Sequence, residues 1–179
     1  MSLIDAPLHR LSLDDVERMF EVGILSPETR VELLDGVLVD MSPASPEHSA
    51  IVSWLNRHFA TSDGPWEVRV RDTLLIDAGF VLPDVMVIDP VPRDRLPASA
   101  LLVIEVSVTT LRYDTAKAER YARNDVGEYW IVDAAARTLI VHRAARGGRY
   151  TRVTRHGDGE SAQPPVGGLS VNVSELFGR

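Results

Sequence analysis

The chain has 179 residues, of which 45% are hydrophobic and 25% charged, with a formal net charge of −7 and no cysteine. This length fits one domain, residues 1–179, which can bury a core without disulfides or a structural metal. The missing cysteines exclude disulfides, thiolate metal sites and a cysteine nucleophile. The acidic balance argues against tight, non-specific binding to nucleic acid, although an acidic total can contain a local arginine patch.

Neither a targeting segment nor a membrane span is expected. The first residues, MSLIDAPLHR, lack the basic and apolar regions of a signal peptide. No apolar run approaches the length that crosses a bilayer. Because cysteine-free chains are compatible with a reducing compartment, the sequence predicts a cytoplasmic protein.

The N-terminal part of the chain predicts a short helix followed by a β-hairpin. Ser12 and Asp15 have the spacing of a capping box ahead of an apolar helical stripe. Asp35-Gly36 separates two apolar runs, which is the strongest short-range hairpin signal. Glu32 lies in the first arm and is a candidate only in combination, because an exposed strand glutamate needs no special explanation.

A second helix is predicted where prolines precede the apolar stripe of Ile51, Trp54, Leu55 and Phe59. His48 falls in its first turn. There it can contact a phosphate or a site carboxylate, but an ordinary hydrogen bond at a helix end is the commoner role of such a histidine.

Strands are predicted next over residues 66–71, 73–77 and 80–89. The last run contains Pro83 beside Asp84, and a proline inside a strand marks an edge, a bulge or a bend. A hairpin turning between Asp94 and Arg95 would set Asp84 and Glu105 at equal distances from its tip. The two acids would then be cross-strand neighbours, close enough to share a divalent ion.

Glu105 interrupts an apolar run, residues 101–108, of the kind expected for a strand that is covered on both faces. A buried carboxylate needs a metal ion, a cation or hydrogen bonds, since burial without compensation is costly. The alternative is a glutamate at a strand end that reaches solvent.

Lys117 is the only lysine in the chain. Taking Asp114 as the N-cap of the next helix places Lys117 in the first turn, against the helix dipole, and on the same face as Tyr121. The two interpretations of Lys117 are a catalytic ammonium and a structural ion pair with Asp114 or Glu105. Tyr121 either holds the lysine in place or is an ordinary core residue.

The C-terminal part of the chain predicts a sheet extension. Strands are expected over residues 128–132, 139–142 and 149–154, followed by a surface loop over 156–168 and a terminal strand or turn over 169–177.

Residues 30–143 resemble the Uma family of restriction-endonuclease-like proteins, a branch of the PD-(D/E)XK nuclease superfamily. The order and spacing of several blocks carry the resemblance: VELLDGVLVDMSP, PEHS, LPDVMVI, LLVIEVS, YDTAKAERYA and VGEYWIVD. It implies an α/β fold, a restriction-endonuclease-like mixed β-sheet flanked by helices, with an N-terminal hairpin and a C-terminal sheet extension.

The resemblance also implies a metal site. Asp84, Glu105 and the main-chain carbonyl of Val106 would bind Mg²⁺ or Mn²⁺, with Glu32 as a further metal or water-positioning contact. Ser107 stands where an E-x-K motif has its lysine. In this family the lysine is displaced to the following helix, which makes Lys117 the catalytic lysine.

The implied function is a metal-dependent endonuclease that hydrolyses phosphodiester bonds of nucleic acid, most naturally DNA. Two alternatives stay open: a catalytically inactive binding or assembly module with a nuclease fold, and a hydrolase of a small phosphoester. No membrane partner is expected, and the sequence leaves open whether the chain forms a homo-oligomer.

Overall fold

The structure, a computed structural model, describes residues 8–62 and 64–178. Its helices are α1 Leu13–Glu21, α2 Pro46–Ala60, α3 Leu111–Arg123 and α4 Val173–Leu176. Its strands are β1 Val31–Leu34, β2 Val37–Asp40, β3 Glu67–Arg69, β4 Leu74–Ile76, β5 Gly79–Val81, β6 Val85–Ile88, β7 Ala100–Ser107, β8 Val126–Asp133, β9 Thr138–Arg146, β10 Arg149–His156, β11 Ser161–Ala162 and β12 Val171–Asn172. Among the described helices, none has the length and apolarity to span a membrane.

The larger sheet has six strands in the order β10-β9-β8-β7-β6-β3, and a smaller sheet has four in the order β2-β1-β5-β4. Strands β7 and β8 are parallel, and α3 connects them, whereas the other neighbours in these two sheets run antiparallel. A parallel pair needs such a crossover. The mixed sheet, the N-terminal hairpin and the C-terminal extension predicted from the sequence are therefore confirmed.

Helices cover both faces of the large sheet. On one face, Leu55 and Phe59 of α2 pack in a cluster that includes Val87 and Ile104. On the other, Tyr121 of α3 packs in a cluster that includes Val103, Met86 and Ile131. Burial on both sides explains the near-continuous apolar run of β7, and it places the side chain of Glu105 inside the protein.

The local signals at the two N-terminal helices behave as predicted. Ser12 and Asp15 form a reciprocal capping box at α1. Ser45 caps α2 by accepting a hydrogen bond from the backbone N–H of His48, and Pro46 is the first helical residue. A proline at that position loses no helical hydrogen bond.

Two expectations about boundaries were wrong. The run over residues 80–89 is two strands, β5 and β6, separated by a break that contains Pro83 and Asp84. Helix α3 begins at Leu111 with Thr110 as its N-cap, so Asp114 is not the cap. Its carboxylate instead accepts a hydrogen bond from the Thr110 hydroxyl at 2.6 Å within the first turn. Lys117 therefore lies in the middle of the helix, and the argument from the helix dipole does not apply to it.

Gly79 of β5 has no room for a side chain. A Cβ placed there would lie 2.0 Å from the carbonyl oxygen of Leu33 in the neighbouring strand β1. We expect Gly79→Ala to lower the free energy of unfolding by about 1–3 kcal/mol or more, because the strands must separate. Gly167→Ala, where a Cβ would meet nothing within 4 Å, is the matched control. Equal urea midpoints for the two variants would contradict this account.

His142 of β9 lies between the rings of Tyr129 and Tyr150, with centroid distances of 5.6 and 5.9 Å. Burial lowers its pKa, so the unfolded chain takes up a proton more readily than the folded chain as the pH falls through the ordinary histidine range. Stability should therefore decline between about pH 7 and pH 5. We expect His142→Phe to reduce this decline, measured as unfolding midpoints at both pH values. An unchanged pH dependence would contradict the assignment.

Candidate active site

Asp84 is the last residue of the break between β5 and β6, directly before β6 begins. Its side chain meets that of Glu105 in the neighbouring strand β7. The β6–β7 register pairs Val85 with Ile104, and one further step sets Asp84 opposite Glu105. The backbone N–H of Asp84 donates to Oε2 of Glu105 at 3.3 Å. The backbone N–H of Val106 donates to Oδ2 of Asp84 at 2.9 Å. The two acids are only 6% and 5% exposed, so the structure brings them together in the protein interior.

Pro83 leaves the β6–β7 pairing without one backbone hydrogen-bond donor. The same register, continued by two steps, sets Pro83 opposite Val106. Proline has no N–H group to donate across the sheet. The ladder therefore supplies no donor from this position to the carbonyl of Val106, beside the two carboxylates.

Lys117 joins a third acid to this pair. Its Nζ lies 2.9 Å from Oε1 of Glu32 and 3.0 Å from Oε1 of Glu105. Glu32 comes from β1 and is 2% exposed, and its Oε1 also accepts a hydrogen bond from the backbone N–H of Leu82 at 3.1 Å. The small sheet, the large sheet and α3 thus each supply one charged group to a common centre.

Two tyrosines of α3 complete the inner contacts. The hydroxyl of Tyr121 donates to Oε1 of Glu105 at 2.9 Å. Tyr121 therefore orients the acid to which Lys117 also donates. The hydroxyl of Tyr113 donates to Oε2 of Glu32 at 3.0 Å, and its ring centroid lies 5.0 Å from the Lys117 ammonium.

Opposing effects set the protonation of this cluster. Burial raises the pKa of Glu105 to about 8, while the charge of Lys117 acts against that shift. Burial would lower the pKa of Lys117, but the carboxylates of Glu105 and Glu32 outweigh it and raise that pKa above its ordinary value. These charges favour the ammonium form of Lys117, which can stabilise negative charge that develops beside it.

His48 and Arg71 extend the site outward from Asp84. Nε2 of His48 lies 2.9 Å from Oδ2 of Asp84, and Nδ1 of His48 lies 2.9 Å from a terminal nitrogen of Arg71. Nε of Arg71 is 3.6 Å from Oδ1 of Asp84. In the sequence, the position of His48 in the first turn of a helix was only a weak indication of a site residue, and nothing distinguished Arg71 from the other arginines of the chain.

The backbone of Arg71 is in the left-handed region, with φ at 51°. Its N–H donates to the carbonyls of Pro83 at 3.0 Å and Asp84 at 3.3 Å. A non-glycine residue in this region costs free energy, and such residues concentrate at functional sites. At Arg71 this backbone conformation occurs together with the approach of the guanidinium to the Asp84 carboxylate.

Comparisons with known proteins agree with this architecture. A solved structure described as "a putative nuclease belonging to DUF820" from Anabaena variabilis matches with a TM-score of 0.73 at 15% identity, covering 93% of this chain and 97% of that chain. This likeness establishes the fold, which is restriction-endonuclease-like. No curated protein matches the chain.

The family follows from the sequence. The model of the Uma2 family, described as "Putative restriction endonuclease", matches residues 13–174, and the chain belongs to this family. The resemblance predicted from the order of the motif blocks is thereby confirmed.

The residues present fit a hard divalent cation. The described residues include no group of three or more histidine, aspartate or glutamate side chains placed to hold a metal by themselves. Mg²⁺, however, is commonly bound by one or two carboxylates and keeps several waters for the rest of its shell. Asp84, Glu105 and the main-chain carbonyl of Val106 carry oxygens of the chemical type that such an ion binds.

Proposed function

We propose that the chain is a divalent-metal-dependent nuclease that hydrolyses phosphodiester bonds of nucleic acid, with DNA as the substrate. Asp84, Glu105 and the Val106 carbonyl hold Mg²⁺ or Mn²⁺. The observation that carries the proposal is the convergence of three buried acids and the single lysine of the chain at one point, in a family whose description names an endonuclease.

The cation would polarise the scissile phosphate and lower the pKa of the attacking water. Residues around the proposed cation site hold its carboxylates in place. Tyr121 and Lys117 both donate to Oε1 of Glu105, which fixes that carboxylate, and the charge of Lys117 opposes the rise in its pKa that burial causes. The ammonium has three N–H bonds, and two are directed at Glu32 and Glu105. The remaining one can donate to a phosphate oxygen or to the water.

Arg71 and His48 lie on the outer side of Asp84. The Arg71 side chain is 27% exposed, so its guanidinium can contact a phosphate at the outer edge of the site. We assign Arg71 to contact the phosphate backbone. We assign His48 to fix the positions of the Arg71 and Asp84 side chains relative to each other. Arginine suits this role because its planar fork matches a phosphate.

The test is to incubate the purified protein with supercoiled, linear and single-stranded DNA and with RNA, each in Mg²⁺, Mn²⁺ or chelator. Cleavage of DNA with Mg²⁺ or Mn²⁺ and none in chelator is the expected result. Failure to cleave any of these substrates under any condition would contradict the proposal. The same assay, run with a small phosphomonoester, separates a nuclease from a small-molecule hydrolase.

A second candidate is a binding or assembly module that has kept the nuclease fold without catalysis. One observation favours it: each acid already has a partner within the protein, Lys117 for Glu32 and Glu105 and His48 for Asp84. Calorimetric titration with Mn²⁺ distinguishes the two candidates, because an inactive module has no need to bind the ion.

A further inference from the structure

A cavity of about 640 Å³ lies between α1 and the small sheet. Its volume is within the range of about 300–1,000 Å³ that is usual for ligand sites. The apolar part of its wall includes Val16 and Phe20 of α1, Leu75 and Phe80 of the small sheet, and Leu82 from the break after β5. Among the described residues, its lining includes Arg71 but not Glu32, Asp84, Glu105 or Lys117.

Two residues that line the cavity also contact residues of the candidate active site. Arg71 lines it and also approaches Asp84 at 3.6 Å. Leu82 lines it and donates its backbone N–H to Glu32. A phosphate bound by Arg71 beside Asp84 would therefore bring the adjoining part of the ligand toward this lining.

The polar groups of the lining suit a heterocycle. Thr29 and Thr73 supply hydroxyls, Glu17 and Glu28 supply acceptors, and Arg30 adds a second cation beside Arg71. An apolar wall with a few polar groups matches a nucleobase, which has two flat apolar faces and an edge of donors and acceptors. The guanidinium groups of Arg30 and Arg71 can bind the phosphate of the nucleotide that carries this base.

We propose that this cavity receives one unstacked nucleobase of the substrate strand, adjacent to the phosphate held at Asp84. The inference rests on the proposed nucleic-acid substrate and adds the form of the strand. A base can enter the cavity only when it is free of its duplex partner, so the preferred substrate is single-stranded or carries an unpaired nucleotide.

The test is a binding measurement without catalysis. Fluorescence anisotropy in chelator compares a short single-stranded oligonucleotide with an oligomer of equal length and charge made of abasic nucleotides. Burial and stacking of one base should make the base-containing strand bind about 5- to 150-fold tighter. Equal affinity for the two oligomers, including no detectable binding of either, overturns the proposal.

Variants test whether the preference for a base arises in this cavity. Thr73→Trp should fill the cavity and abolish the preference for bases while leaving the affinity for the abasic oligomer unchanged. Leu96→Trp repeats the test at a lining residue that is 46% exposed and therefore tolerant of a large side chain. Val153→Trp, 55% exposed on β10, is the matched control and should keep the preference. A preference that survives both cavity variants contradicts the assignment.

The two proposals can fail separately. A base preference that Thr73→Trp removes, in a protein that cleaves nothing with Mg²⁺ or Mn²⁺, would support the cavity and reject the nuclease. Metal-dependent cleavage of fully paired duplex at the same rate as duplex with one unpaired nucleotide would keep the nuclease and reject the cavity.

Discussion

Replacing Lys117 by arginine is expected to leave the chain folded and to reduce metal-dependent cleavage by about 100- to 1,000-fold, the usual cost of one well-placed electrostatic group. The permanent charge still compensates Glu32 and Glu105, so the fold survives. The wide, planar guanidinium cannot occupy the place where the compact ammonium lies 2.9 and 3.0 Å from the two carboxylates. Single-turnover cleavage rates and unfolding midpoints measure the two effects.

Arg123→Lys is the matched control, because it is the reverse exchange in the last turn of the same helix, at an exposed position. It should cleave like the wild type. If Lys117 only forms a structural ion pair, Lys117→Arg should cleave at a near-normal rate as long as the protein folds. That outcome would reject the catalytic role.

A second pair of variants separates charge compensation from catalysis. Lys117→Met leaves two buried carboxylates without their cation and should cost about 3–5 kcal/mol of stability. Adding Glu32→Gln removes one of these charges, so the double variant should regain part of the loss in stability. It should stay inactive, because the ammonium is still missing.

Replacing Asp84 by asparagine is expected to abolish Mn²⁺ binding in calorimetry and to remove metal-dependent cleavage. The amide oxygen can still accept the hydrogen bond from the Val106 backbone N–H, now at 2.9 Å, so the local geometry should persist. The negative charge that attracts the cation is lost. Far-ultraviolet circular dichroism and unfolding midpoints verify that the variant is folded.

Glu128→Gln is the control for this experiment. Glu128 is also a partly buried acid of the large sheet, in β8, but its carboxylate pairs with Arg143 at 2.8 Å and lies outside the cluster of Lys117. It should bind Mn²⁺ as the wild type does. If Asp84→Asn binds Mn²⁺ with wild-type affinity, the assignment of Asp84 as a ligand is wrong.

The sequence was most informative where local signals and register coincide. The hairpin between β6 and β7 joins two apolar strands through a proline-rich connection, so its centre could be found by symmetry. That symmetry gave the pairing of Asp84 with Glu105, and the observed register agrees with it. Capping residues and the Asp35-Gly36 turn likewise depend on a few adjacent residues, which a sequence displays directly.

Contacts between elements that are distant in the chain could not be predicted from adjacent residues in this way. Glu32 approaches Lys117 because the small sheet packs beside α3, and only the family resemblance indicated its role. Arg71 reaches Asp84 through a left-handed backbone conformation that no residue preference predicts. The start of α3 was misjudged because Asp114 is a favourable capping residue by type, whereas the chain leaving β7 already turns into the helix at Thr110.

If one cation site at Asp84 and Glu105 serves phosphodiester cleavage, the cleavage rate must follow the occupancy of that site by the ion. The most direct measurement is the rate of DNA cleavage as a function of Mn²⁺ concentration, compared with the calorimetric dissociation constant of the same protein. The account predicts that the rate saturates with the occupancy of the site and is absent in chelator and in Asp84→Asn. Cleavage that persists in chelator or in folded Asp84→Asn would contradict it.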